Sequence, residues 1–567
     1  MKFSVYSILS ACIILATLSA CDKDDDPTNG NGYEVKEIAT GAVLHGTNGL
    51  NIGPDGNLYI ASFLGQEIIV MNKQNGTIIK RIGRDMGANS PDDLVFGPDG
   101  SLYWTDLLLG EVVRMTTEGV VTRQYVAPGI NPITFSDDGR LFVALDFTGD
   151  GLYELDPNLI NLPRALVENK PGEYPLGFLN AFDFGADGRL YGPLFAAGMV
   201  ISINVGDPGE PFPSSPWTDG SMIPVANGFT NPVAAKFNPA GILHVLDQTG
   251  EVFKVDISTG VKTLFVTLQE GVDNLAFDAN GNMYVSNADF GWIMEVLPSG
   301  QTRTISSGGM IGPGGLAALS APNNQDALFV ADLFRLREFN GLNGQEENVY
   351  KGHLLPAPGA LTLPFTMSAD GNNLIVSSWF GAVVQVWDPQ TGEVLEEHSF
   401  PVPINAIRFK DDLVVVDMGL GGVVRASDKS MILPIDNSNV YAPGGLATDG
   451  ELLWVADWGT GTIWQISFVG NTPNAPISVA TGLMNPEGLA LDLDGSLVVV
   501  ETGASRLSRI NISTGEATTI VDGLELGLPA LEGFPPTWTF DGVAIGQTGN
   551  IYVSGFGKNT IYCVSKK

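Results

Sequence analysis

Apolar and polar residues alternate through short runs such as "LYIAS", "LYWTD", "MYVSN" and "LWVAD" along most of the chain. Period-two alternation marks half-covered β-strands, and no stretch carries the 3.6-residue stripe of an amphipathic helix. Each run follows a turn that is usually spelled Asp-Gly or Asn-Gly, as in "GLNIGPDGNLYI" (residues 49–60), "DLVFGPDGSLYW", "NLAFDANGNMYV" and "GLALDLDGSLVV". Those turn residues tolerate the positive φ that a tight hairpin demands. A third strand such as "EIIVMN" comes next, then a Gly-bearing turn such as "NKQNGT" and a fourth strand such as "TIIKRI".

Aligned on the turn, the units fall at Asp55, Asp99, Asp138, Asp187, Ala240, Asn280, Asp326, Asp370, Asp411, Asp449, Asp494 and Thr548. A repeat of roughly 40–50 residues with four strands per unit is the signature of propeller blades. The final unit stops after its third strand, while "EVKEIATG" (residues 34–41) is an orphan strand before the first unit. "QTRTISSG" (residues 301–308) stands in the corresponding place before unit seven. Propellers usually hold about 4–8 blades. The expected fold is therefore all-β, two tandem six-bladed propellers over residues 33–300 and 301–567, each closed by its own N-terminal outer strand.

The remaining N-terminal residues read as an address. Lys2 and an apolar run to Leu18 form a signal segment over residues 1–21, too short to span a membrane comfortably. "LSAC" resembles the lipobox of bacterial lipoproteins, with Cys21 as the lipidated residue, and residues 22–32 form a polar tether. Lys23-Asp24-Asp25 resembles a surface-export signal, whereas Asp22 would mean inner-membrane retention in enteric bacteria; the outer membrane, facing outward, is the expectation. The only membrane contact expected is the lipid anchor.

Charge removes one class of partner. The formal net charge is −34, and such a surface repels phosphate backbones, so no nucleic-acid partner is expected. Three Cys, one of them in the leader, and four scattered His exclude a disulfide framework and argue against a Cys- or His-based zinc site.

The residue seven positions before each turn falls where a blade's first strand meets the channel mouth. In the first half these are Asn48, Asp92, Asn131, Asn180, Val233 and Asp273. Five oxygen-bearing side chains around one axis suit a hard cation, Ca²⁺ rather than Zn²⁺, with Asn48, Asn131, Asn180 and Asp273 as ligands. Asp92 and Asp273 are the candidate catalytic carboxylates. Taken singly, each Asn or Asp also fits a local turn, bonding its own backbone. The second half offers Gly314, Leu363, Asn405, Gly444, Glu487 and Asp541, of which Asn405, Glu487 and Asp541 are candidates for a sparser site. His45 reads as an exposed loop residue, and His244 as packed between blades. The Asp that ends many second strands (Asp106, Asp247, Asp332, Asp417, Asp457) recurs too often to be catalytic. Two long insertions, residues 205–230 with Phe212 and Trp217 and residues 524–540 with Phe534 and Trp538, are candidate pocket walls.

"PDDLVFGPDGSLYWTDLLLGEVVRM" and "NPEGLALDLDGSLVVVETGASRLSRI" resemble the senescence-marker-protein/gluconolactonase and strictosidine-synthase-like propellers, and NHL repeats. The gluconolactonase resemblance implies lactone or ester hydrolysis with one divalent metal held by a Glu, two Asn and an Asp. Asn131 and Asn180 match the Asn pair, Asn48 stands at the Glu position and Val233 at the catalytic Asp, so Asp273 or Asp92 would supply that carboxylate. Two functions stay open: a metal-dependent hydrolase of a small-molecule lactone or ester, and a non-catalytic module binding a glycan, a peptide or a protein.

Overall fold

The computed structural model describes residues 28–29 and 32–567, except 147, 171, 355–356, 437, 529 and 532–539. Cys21, Phe534 and Trp538 lie outside the described residues. Among those described there is no α-helix, and the strands form twelve antiparallel sheets of four or five strands with one small ribbon beside them. The expected all-β class holds.

Within ten of the twelve sheets the strands follow chain order. Gly56 and Gly100, at the tips of the first two turns, have φ of 79° and 80°, which a side chain would strain. In the second of these turns the Asp99 carboxylate accepts the Ser101 amide (3.0 Å). Second strands such as Leu102–Asp106 are buried along their whole length, whereas outer strands such as Glu393–Ser399 alternate between half-buried and exposed. That gradient is what sheets stacked face to face around an axis require, and it is the architecture of a β-propeller. Ala61, Ile68 and Val70 of the first sheet, for example, pack against Leu94, Trp104 and Val113 of the second.

The innermost strands contact one another in series: Leu50–Ile52, Pro91–Phe96, Ile130–Phe135, Asp183–Phe184, Pro232–Phe237 and Val272–Phe277, the last touching the first again. Leu50, Leu58 and Ile69 accordingly pack on Tyr284, Ile293 and Ile305 of the sixth sheet. A second series runs from Leu316–Ala321 to Val543–Ile545 and likewise returns on itself.

Closure differs from the sequence expectation. Thr302–Ser306 pairs with Ile293–Val296 and completes the sixth sheet of the first half. Tyr33–Thr40 does not serve the first half at all; it pairs with Thr560–Lys566 as the outer strand of the twelfth sheet. Neither half is therefore closed by its own N-terminal strand. The cause is loop length. "LPSGQ" joins Ile293–Val296 to Thr302–Ser306 as a local hairpin, and a short closure costs less entropy than a distant one. The first half is thereby complete, and Tyr33–Thr40 is left for the only sheet lacking a fourth strand. The short strand Thr28–Asn29 adds to the outer edge of the eleventh sheet.

Candidate functional site

Several innermost strands break register near the channel mouth: between Pro91 and Leu94, between Ile130 and Ile133, and between Val272 and Leu275. Such a bulge frees residues from strict alternation and re-aims a side chain. Asp92, Asn131 and Asp273 sit inside these bulges. Together with Asn48, Asn180 and Val233 they line one cavity on the first-half axis. All six expected mouth residues are thus brought together.

Their hydrogen bonding separates them into two kinds. Asn180 Oδ1 accepts the Ala181 amide (2.7 Å), the local-turn use, and the Asn131 amide donates weakly to Asp146 (3.5 Å). Among the described residues the side chains of Asn48, Asp92 and Asp273 have no hydrogen-bonding partner, although Asn48 and Asp92 are only 6% and 5% exposed. Among the described lining residues there is no Lys or Arg. Burial first, then the Asp273, Asp93 and Asp146 carboxylates, hold the Asp92 carboxyl well above its ordinary pKa. Burial, then Asp93 and Asp289, push Asp273 up to about 7. Two such carboxylates favour one shared proton over two charges.

Below this layer lies a second, which sequence reasoning missed. Asn274 donates to Asp93 (3.2 Å) across the channel, and Asp93 also accepts the Ile133 amide (3.2 Å). Asp183 accepts the Phe237 amide (2.9 Å), and Lys236 donates to the Phe182 carbonyl (2.9 Å). These groups are satisfied, so they stiffen the channel and leave the chemistry to the layer above.

The cavity roof also lay outside the sequence reading. Leu333, Phe334, Leu354, Leu363, Phe365 and Trp379, all from the second half, close over the mouth. The enclosed space, its opening to solvent included, is about 840 Å³. One signal was available: Leu363 occupies a mouth position of the second half and is apolar where the first half has Asn or Asp.

The donor set fits a hard cation better than zinc, because its free groups are carboxylate and amide oxygens. Among the described residues no group of three or more His, Cys, Asp or Glu side chains is placed to hold a metal ion. A bound ion would therefore have to draw on Asn oxygens.

The second-half candidates do not meet in one place. Asn405 faces a separate channel walled by Leu316, Met367, Leu446 and Leu489, and its Oδ1 accepts the Ala406 amide (2.9 Å). Glu487 and Asp541 are neighbours: the Asp541 amide donates to Glu487 (2.8 Å), and the Asp541 carboxylate accepts from the Gly527 (2.5 Å) and Phe556 (3.1 Å) amides. Burial, then Asp541, raise Glu487 well above its usual range against hydrogen bonds with Thr502 and Trp458. Burial alone among its causes pushes Asp541 up to about 7. The folded state therefore holds protons that the unfolded chain releases between about pH 4 and 7, so this pair's contribution to stability falls as pH rises through that window. Glu487→Gln keeps an acceptor for the Asp541 amide and removes the paired charge. The expected result is a loss of melting temperature between pH 5 and 8 that is several degrees smaller than in the unmodified protein, read by thermal denaturation at both pH values.

Other expectations resolve plainly. His45 is not an exposed loop residue: it stacks on Phe556 (4.7 Å) and bonds Asn559 (3.0 Å), and burial lowers its pKa to about 4. His244 packs on Phe277 and Phe265 between sheets, as expected. The strand-end aspartates bind the backbone that enters the first strand of the same sheet. Asp106 accepts the Ser90 amide (2.7 Å), Asp332 those of Ile311 and Gly312 (2.9 and 2.8 Å), and Asp457 that of Ala442 (2.8 Å). In the first insertion Phe212 packs on the core and Trp217 is exposed, so neither walls the cavity.

No known protein-family signature matches the chain, and no curated protein matches it significantly. Solved structures with a similar arrangement include a virginiamycin B lyase from Staphylococcus aureus, 14% identical, covering 48% of this chain and 88% of that one with a TM-score of 0.35. A protein assigned to the gluconolactonases is 13% identical over 49% of this chain and 95% of its own, TM-score 0.36. The extracellular domain of a protein assigned as a one-component system, from B. thetaiotaomicron, is 12% identical over 93% of this chain and 76% of its own, TM-score 0.31.

Proposed function

We infer that the chain is a pair of tandem six-bladed β-propellers, lipid-anchored through Cys21 at the outer membrane, whose first axis binds a small molecule. The first propeller spans residues 41–306, and the second spans residues 307–567 together with Tyr33–Thr40. The observation that carries the binding reading is the meeting of Asn48, Asp92 and Asp273, without protein partners, under a roof from the other half. Buried acceptors left unpaired cost free energy unless a ligand or water satisfies them.

A second reading is favoured by the two carboxylates that face the same cavity: hydrolysis of a lactone or ester. Asp273 would take a proton from the attacking water and Asp92 would return one to the leaving oxygen. Asn48, Asn131, Asn180 and Asp273 would hold a Ca²⁺-type ion, which when bound polarises the ester carbonyl.

Calorimetric titration with Ca²⁺, together with turnover of a panel of lactones and aryl esters, separates the two. Under the hydrolytic reading Asp273→Asn lowers turnover by about 10²–10⁴-fold and Asp92→Asn also lowers it. Under the binding reading there is no turnover, yet ligands that raise the melting temperature of the unmodified protein lose that effect in Asp92→Asn. Ligand shifts unchanged in Asp92→Asn and Asp273→Asn would remove the axial site altogether.

A further inference from the structure

The axial reading leaves the kind of ligand open, and the roof narrows it. We propose, resting on that reading, that the second propeller acts as the specificity wall of the first propeller's site, selecting small molecules with a hydrogen-donating head and an apolar body. The floor supplies acceptors: Asp92, Asp273 and Asn48 have no donors among the described residues, and Asp92 is nine-tenths buried and faces the cavity. A hydroxyl or a protonated amine satisfies such groups. A carboxylate or phosphate head meets the carboxyl groups of Asp92, Asp273 and Asp289, the last already paired with Arg335, and no Lys or Arg among the described lining residues, so anions are rejected by repulsion as well as desolvation.

The wall opposite is apolar and comes from another part of the chain. Phe334, Leu363, Phe365 and Trp379 face the acceptor floor, and Phe365 and Trp379 lie ring to ring with centroids 4.9 Å apart. A sugar, hydroxylated on every side, leaves these surfaces unmatched, whereas an aryl or alkyl body covers them.

The wall is held in place by an ion pair at the cavity's edge, where Asp289 belongs to the lining and Arg335 does not. Arg335, next to Phe334 in the chain and 3% exposed, donates to Asp289 (2.5 Å) and Glu270 (2.9 Å) of the first propeller. Its guanidinium lies 4.8 Å from the centroid of the Phe290 ring. Arg335 is thus a positioning residue: it sets how far the wall stands from the floor without lining the cavity.

The test uses the full-length protein and four probes at millimolar concentration: benzyl alcohol, benzylamine, benzoate and ethylene glycol, each followed by calorimetry and thermal shift. Benzyl alcohol and benzylamine are expected to bind, benzoate not to bind, and ethylene glycol to bind at least about tenfold more weakly than the alcohol, from loss of ring burial. Phe365→Ala, with Phe334→Ala as a second variant should the first fold poorly, narrows the alcohol-to-glycol ratio. Arg335→Ala narrows it too and Arg335→Lys restores part of it, which a purely stabilising ion pair would not do. Benzoate binding as well as the alcohol, no aryl probe binding, or a ratio unchanged in both wall variants overturns the proposal. If Asp92→Asn weakens the probes while the wall variants do nothing, the axial site stands and the wall falls. If Asp92→Asn has no effect either, both fall.

Discussion

Deleting residues 1–40 is expected to unfold the second half of the molecule while the first half, which follows the missing segment directly, stays folded. Tyr33–Thr40 supplies seven paired residues to Thr560–Lys566. Val35 rests against Val500, Val553 and Val564, and Ile38 against Leu328 and Ile561. Ladder hydrogen bonds worth about 0.5–1.5 kcal/mol each, with this apolar cover added, approach the whole stability of a domain, roughly 5–15 kcal/mol. The deletion also bares Thr560–Lys566 as an unpaired edge, which invites association between chains. Scanning calorimetry of the truncated protein should show one transition retained and one lost or shifted far downward. Limited proteolysis should cut beyond residue 307 and spare residues 41–306. Placing residues 33–40 after Lys567 through a short linker should restore the missing transition. A truncated protein that melts like the full chain would refute the pairing.

Arg337→Ala is expected to cost about 3–5 kcal/mol, the usual result of removing one partner of a buried ion pair. Arg337 is 1% exposed and donates to Asp332 (2.5 Å), Glu346 (2.8 Å) and the Gly309 carbonyl (2.7 Å). Asp332 is fully buried and accepts the Ile311 and Gly312 amides, so the pair fastens the segment that joins the two halves. Without the guanidinium, Asp332 is left buried with the Ile311 and Gly312 amides as its donors among the described residues. Arg337→Met combined with Asp332→Asn removes both charges and leaves an acceptor for the two amides; it should cost clearly less than Arg337→Ala alone. Urea midpoints of the single and double variants measure this, and a double variant no better than the single would sink the argument. Leu333 and Phe334 follow Asp332 directly in the chain, so Arg337→Ala should also weaken ligands at the axial cavity.

The sequence-level reading reached what repeats and failed on what occurs once. Strand alternation and the Asp-Gly turns recur in most units, so the class, the unit count and the mouth positions from Asn48 to Asp273 are legible in the sequence. The closing strands could not, because "EVKEIATG" and "QTRTISSG" look alike in pattern and differ only in which partner is nearer. The wall over the cavity was hidden for another reason. Phe334, Phe365 and Trp379 come from different loops with no shared offset from the turn, and their meeting depends on how two rings dock. His45 was misjudged on the same account: nothing near it in sequence announces Phe556 and Asn559, more than 500 residues away.

The pairing of Tyr33–Thr40 with Thr560–Lys566 makes the first series of sheets an insertion within the second. During synthesis the strand that emerges first must wait, unpaired, until the final residues arrive, while the whole intervening ring forms between them. Interrupted synthesis would therefore leave a chain whose residues 41–306 are sound and whose remainder cannot close. Thr560–Lys566 becomes a checkpoint for folding, and its loss would strand Tyr33–Thr40 without a partner.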